Sequence, residues 1–172
     1  MEIRLHYIEQ GEGFPLILLH GNGEDHTYFK RQMEPFADHF RVIAVDTRGH
    51  GESPRGTGPF TLSQFAEDLK SFFDQHGISK CHLLGFSDGG NVALLFALKY
   101  PDRVERLILN GANLDPCGVK LKTQIPIILG WGLCRLCALF SQQAKQNWEM
   151  LNLMVTQPHI HRAELAGLDM PV

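Results

Sequence analysis

The sequence predicts one α/β domain in three layers, helices on both sides of a mostly parallel sheet, and three observations carry that expectation. Four short apolar runs show no alternation of polar and apolar residues, as strands covered on both faces require. Segments of helical length and period lie between them. The connections are short, which suits right-handed crossovers in a parallel sheet. With 172 residues, 44% of them hydrophobic, the chain can bury one substantial core and not two large ones.

In chain order, residues 3 to 8 alternate as a half-buried strand would, and Gly11-Glu12-Gly13 turns the chain. The four apolar runs follow: Pro15 to His20, Val42 to Asp46, Cys81 to Phe86 and Val104 to Leu109. Helices are expected over 25–38, 61–76 and 88–99. The second opens at Thr61 and sets Leu62, Phe65, Leu69, Phe72 and Phe73 on one face. Asn110 to Pro116 reads as a polar loop at a strand's carboxyl end. From Cys117 to Leu168 the pattern offers no strand, only helical patches broken at Pro126, Gly130 and Pro158. The expected organisation is a core over 1–116, a helical insertion over 117–168, and the start of a further core strand over 169–172.

Charge and cysteine content narrow the function. A net charge of -3 and a pI near 6.3 give no electrostatic reason to expect nucleic acid or a membrane as partner, and favour a small molecule. The amino terminus lacks the uninterrupted apolar stretch of a secretory signal, so a cytoplasmic location is expected. Cys134 and Cys137 have the spacing of half a zinc or redox site, but no second pair completes it, and buried thiols are expected instead, with no metal. Pro126, Gly130, Gly132 and Arg135 interrupt the apolar stretch from Ile125 to Phe140, which also falls short of the ~20 residues of a membrane span.

The chemistry concentrates at Gly85-Phe86-Ser87-Asp88-Gly89-Gly90, between an expected buried strand and an expected helix. A serine hydroxyl is a weak nucleophile, and a fold that uses one must thrust it into a cleft on a sharply bent backbone. Gly85 and Gly89 remove the side chains that would collide there, and strain at Ser87 is expected. At a helix amino end, unpaired N–H groups and the dipole favour negative charge, so the Asp88 N–H is one candidate oxyanion donor. His20-Gly21-Asn22-Gly23, after the first parallel strand, can supply a second through the Asn22 N–H. Gly21, Gly23 and Gly90 support these loops. In the loop from Asp46 to Ser53, Asp46 and Arg48 are expected to pair in a structural role. His20 and His50 are read as fixing backbone rather than moving protons.

These motifs, with Asp46-Thr47-Arg48-Gly49-His50-Gly51-Glu52-Ser53 between them and Tyr100-Pro101-Asp102-Arg103-Val104 after them, resemble the α/β-hydrolase superfamily in its branch of small esterases, cofactor-free haloperoxidase-like enzymes and carbon–carbon bond hydrolases. The resemblance is close over residues 2 to about 115. It implies an α/β/α sandwich of the α/β-hydrolase type, a helical cap over 117–168 that governs substrate choice, no cofactor, and attack by Ser87 on an ester or similar activated carbonyl. It also implies a catalytic acid and a histidine later in the chain, and the segment Leu165 to Val172 resembles the approach to the strand before them. On that reading acid and base lie beyond Val172, the chain by itself is nearly inactive, and the open sheet edge with Leu107 and Leu109 invites self-association or a complementing segment. Asp115 is the candidate acid among the residues present, with turn chemistry before Pro116 as its alternative. His159 and His161 are candidate bases or, alternatively, surface and cap-packing residues. Two other classes stay open: a non-catalytic binding protein or part of a split enzyme, and, from Gly21-Asn22-Gly23 with Asp46, a dinucleotide-binding unit.

Overall fold

The computed structural model describes residues 3–172. Five strands form one sheet: β1 (Tyr7–Gln10), β2 (Pro15–Leu19), β3 (Arg41–Val45), β4 (Cys81–Phe86) and β5 (Val104–Asn110). Their spatial order is β1-β3-β2-β4-β5, with β1 antiparallel to β3 and every other pair parallel. This is the mostly parallel sheet that the unalternating apolar runs predicted. The first strand pairs only from Tyr7 onward, yet Ile3 and Leu5 are still buried on alternate positions.

Three helices fill the crossovers: α1 (Lys30–Ala37), preceded by a 3-10 turn over His26–Phe29, then α2 (Leu62–Gln75) and α3 (Asp88–Lys99). The alternation of side chains along β2 decides how the layers form. Ile17 and Leu19 pack with α2 and α3 on one face, while Leu16 and Leu18 pack with Phe29 and Met33 on the other. Thr61 caps α2 by accepting from the Gln64 N–H at 3.1 Å.

Coverage on both faces holds for β2 and β3 and not for β4 and β5. β4 alternates buried and half-buried residues. On β5, Leu107 is buried and Ile108 is exposed, contrary to the expectation that Leu107 would be bare. The reason is side-chain direction. Leu107 faces the layer of α2 and α3, and the Pro171 carbonyl accepts from its N–H at 2.9 Å, so residues 169–172, although not a strand, lie along the β5 edge.

Residues 117–168 form α4 (Leu121–Cys137), α5 (Gln142–Thr156) and a 3-10 segment, Arg162–Gly167. Helix α4 runs through Pro126 and Gly130 without the expected break. Pro126 is exposed near the helix start, so the carbonyl it frees one turn earlier meets solvent, and Gly130 sits against Leu151 of α5. Helix α5 touches the core through fully buried Leu153, the Arg55–Glu149 ion pair at 2.8 Å, and the Leu62 N–H, which donates to Gln157 Oε1 at 2.9 Å. Helix α4 packs chiefly on α5. The thiols are less buried than expected: Cys81 is enclosed, whereas Cys117 and Cys137 are exposed.

Candidate active site

Ser87 stands at the junction of β4 and α3 with φ 52° and ψ -121°, and among the described residues it is the one non-glycine residue at positive φ. A residue with a Cβ holds that conformation only when its surroundings over-determine it. Here they do. The Ser87 N–H donates to the Asn110 carbonyl at 2.8 Å and its carbonyl accepts from the Asn91 N–H at 3.1 Å, which ties the bend to β5 and to the first turn of α3. A Cβ on Gly85 would come within 2.3 Å of the Gly89 carbonyl oxygen, and one on Gly89 within 2.2 Å of the Leu19 carbonyl oxygen. Neither position accepts any side chain. Gly90 is less tight, with Ala112 Cβ at 2.9 Å from where its own would be.

The close approach of Gly89 to the end of β2 also brings the loop after that strand beside the elbow. A Cβ on Gly21 would lie 3.2 Å from Ser87 Cβ, and Gly23 takes φ 73° to close the turn. Asn22 Nδ2 donates to Asp88 Oδ2 at 2.9 Å and to the Met150 carbonyl of α5 at 3.0 Å. One amide thus joins loop, elbow and α5. Among the described residues, neither the Asn22 nor the Asp88 N–H has a hydrogen-bond partner, and the Ser87 side chain makes no capping bond. The arrangement leaves two donors and a hydroxyl unspent.

Asp88 is held in a network that the sequence reading missed. Buried Asn91 donates through Nδ2 to Asp88 Oδ1 at 3.3 Å and to Asn113 Oδ1 at 3.2 Å, and accepts from the Asn113 N–H at 2.9 Å. Burial pushes the Asp88 carboxyl above the ordinary carboxylate range, against the amide bonds from Asn22 and Asn91. Asn91 was legible in principle, as a polar residue one turn after Asp88 in an otherwise apolar helix.

In the Asp46 loop the pairing differs from expectation. Arg48 does not pair with Asp46. Its guanidinium grips Asp68 of α2 bidentately, with Nε and Nη2 each at 2.6 Å, both residues buried. Asp46 instead accepts from the His26 N–H at 2.6 Å and the Glu52 N–H at 3.0 Å, and its oxygens lie 2.8 Å from His6 Nδ1 and 3.0 Å from His26 Nδ1. Burial raises its pKa, and the N–H donors of Glu52 and His26 with the two imidazoles more than offset this, so the carboxyl lies below its ordinary value. Although the two histidines and Asp46 stand within metal-ligating distance of one another, these donors occupy the lone pairs of the carboxylate, and the cluster serves as a hydrogen-bond hub.

His20 and His50 are both buried beside these loops. His20 Nδ1 lies 2.8 Å from the Gly21 carbonyl and its Nε2 accepts from the Thr47 N–H at 3.1 Å, so both ring nitrogens hold backbone. Burial lowers the pKa of both histidines, that of His50 to about 4. Asp115 caps a turn by accepting from the Cys117 N–H at 2.9 Å, and its other oxygen lies 2.9 Å from His159 Nδ1. The structure therefore brings the candidate acid to one of the candidate bases, both well exposed. The Cys117 N–H bond and His159 lower the Asp115 pKa. His161 starts the last 3-10 segment. A carboxylate, Glu24 Oε2, accepts from the Gly21 N–H at 2.9 Å, where a dinucleotide pyrophosphate would need that donor free.

Comparison with known proteins agrees with this architecture. The family model for the alpha/beta hydrolase fold matches residues 15–132. The chain is 36% identical over 155 residues to a 2-hydroxy-6-oxononadienedioate/2-hydroxy-6-oxononatrienedioate hydrolase of Escherichia coli, which covers 87% of this chain and 52% of that protein. Over 111 residues it is 40% identical to epoxide hydrolase 4 of Mus musculus, covering 62% of this chain and 31% of that protein. Among solved structures, a thermophilic esterase from Thermogutta terrifontis superposes with a TM-score of 0.67 at 28% identity, over 98% of this chain and 68% of that one. The chain spans about half the length, or less, of these two curated relatives. A family match over more than half of its residues places it plainly: the chain belongs to the alpha/beta hydrolase fold family.

Proposed function

We propose that this chain carries the nucleophile and oxyanion donors of a hydrolase acting on an ester or similarly activated carbonyl of a small molecule, with Ser87 attacking and an acyl-Ser87 intermediate forming. The observation that carries the reading is the strained backbone of Ser87, left without a capping bond beside the free N–H groups of Asn22 and Asp88. A position that costs stability and binds nothing in the resting protein is accounted for by a task in the reaction. The Escherichia coli relative and the Thermogutta terrifontis esterase are hydrolases by name, which supports the reaction class. No histidine nitrogen among the described residues hydrogen-bonds to Ser87, so the reading assigns no proton acceptor to them, nor a catalytic role to Asp115. Activity of the chain by itself is proposed to be very low, since losing triad members costs on the order of 10⁴ or more in turnover.

The test exploits selectivity rather than speed. Treated with a fluorophosphonate and digested for mass spectrometry, the folded chain is expected to carry its adduct on Ser87 in preference to its five other serines, and to lose that preference in urea. An adduct spread evenly over the serines, or undiminished in Ser87→Ala, refutes the assignment.

A further inference from the structure

The cap carries an unpartnered surface of unusual composition. Leu121, Leu129, Leu133 and Leu136 of α4, with Leu139 and Phe140 just beyond it, are between 64% and 91% exposed. At 100° per residue the four α4 leucines fall within one arc of the helix with Lys122 inside it, while Arg135 lies outside that arc with its guanidinium 5.5 Å from the centre of the Trp131 ring. On the opposite side Trp131 donates through Nε1 to Asn152 Oδ1 of α5 at 3.0 Å, so the helix is anchored to the cap by one face and bare on the other. A contiguous apolar patch of this kind marks an interaction surface.

Charge identifies the partner. From Pro116 to Trp148 the sequence holds Lys120, Lys122, Arg135 and Lys145 and no aspartate or glutamate, whereas the rest of the chain holds twelve basic and nineteen acidic residues. All four basic residues are exposed. The overall charge of -3, which argued against an anionic partner, conceals a purely cationic stretch over residues 116–148. Among the described residues no helix is long and apolar enough to cross a membrane. We propose that the outer face of α4 and the Leu139–Phe140 corner dock on an anionic bilayer surface, the leucines and Phe140 entering the headgroup boundary while the basic residues meet lipid phosphates and carboxylates. This stands independently of the Ser87 reading.

The test uses sedimentation with vesicles of phosphatidylcholine, with and without about one-third phosphatidylserine. Binding to the anionic vesicles is expected to exceed that to neutral ones by roughly tenfold or more, and to weaken in high salt. Leu129→Glu/Leu133→Glu is expected to weaken it by at least about tenfold, and Lys122→Glu by roughly fivefold or more. Should the double variant fold poorly by circular dichroism, Phe140→Trp in the otherwise unchanged chain decides alone: its emission shifts to the blue on adding anionic vesicles. Absence of that shift together with absence of sedimentation at low salt overturns the proposal. So does a stable dimer in light scattering that Leu129→Glu/Leu133→Glu dissociates while vesicle binding is unchanged, since the face would then belong to a second copy.

Discussion

Replacing Ser87 by glycine should make the protein more stable while abolishing its selective reactivity. At φ 52° and ψ -121° the serine occupies backbone space that only glycine enters freely, at a cost of about 1–3 kcal/mol. Glycine returns part of that gain through the entropy of the unfolded chain, about 0.5–1 kcal/mol. The side chain forms no capping bond that would be lost. The net expectation for Ser87→Gly is a stabilisation of about 0.5–2 kcal/mol, or roughly 1–8 °C in Tm for a chain of this size. Ser87→Ala keeps the Cβ and hence the strain, and should stay within about 0.5 kcal/mol of the parent. Urea and thermal unfolding of the three proteins side by side read the difference. If Ser87→Gly is less stable than the parent, or if alanine stabilises as much as glycine, the bend is not strained and the argument from strain to reactivity collapses.

Three further outcomes are expected. Gly89→Ala puts a Cβ 2.2 Å from the Leu19 carbonyl oxygen and must push the loop after β2 away from the elbow, so the selective fluorophosphonate adduct should fall and the protein should melt earlier; unchanged labelling would contradict the close packing. Asp68→Asn leaves the Arg48 guanidinium buried with its charge uncompensated and should cost about 3–5 kcal/mol in urea unfolding, against a smaller loss when both partners become apolar. Stability should decline in acid through His50: its folded pKa of about 4 lies below the unfolded value of 6.5, so the unfolded chain takes up the proton first. That contribution is fully present above pH 6.5 and is lost as the pH falls toward 4, by up to about 3 kcal/mol, and a His50→Gln variant should show a flatter profile over that window.

Much of this was legible because local chemistry leaves no alternative. Strand residues buried on both faces must be apolar, as Leu16–Leu19 of β2 and Val42–Val45 of β3 are. A backbone bend with no room for a Cβ on either side must be flanked by glycine, as Gly85 and Gly89 flank Ser87. A side chain that caps a helix start must offer an oxygen, as Thr61 does. These demands act within a few residues, and the order of the residues records them directly.

Pairings at long range were settled only by the tertiary structure. The Arg48 guanidinium chose Asp68 over Asp46, twenty residues away against two, because α2 carries a carboxylate into the same buried pocket while Asp46 is filled by backbone donors. Asn22 reached both Asp88 and Met150 because Gly89 lets β2 end against the elbow. Leu107 is buried and Ile108 exposed because only one face of β5 has a layer upon it. The sequence records the leucines of α4, and only the packing of one of its sides on α5 determined which of them meet solvent. Propensity and steric exclusion are properties of neighbours along the chain, whereas which charges are desolvated together depends on how the layers close.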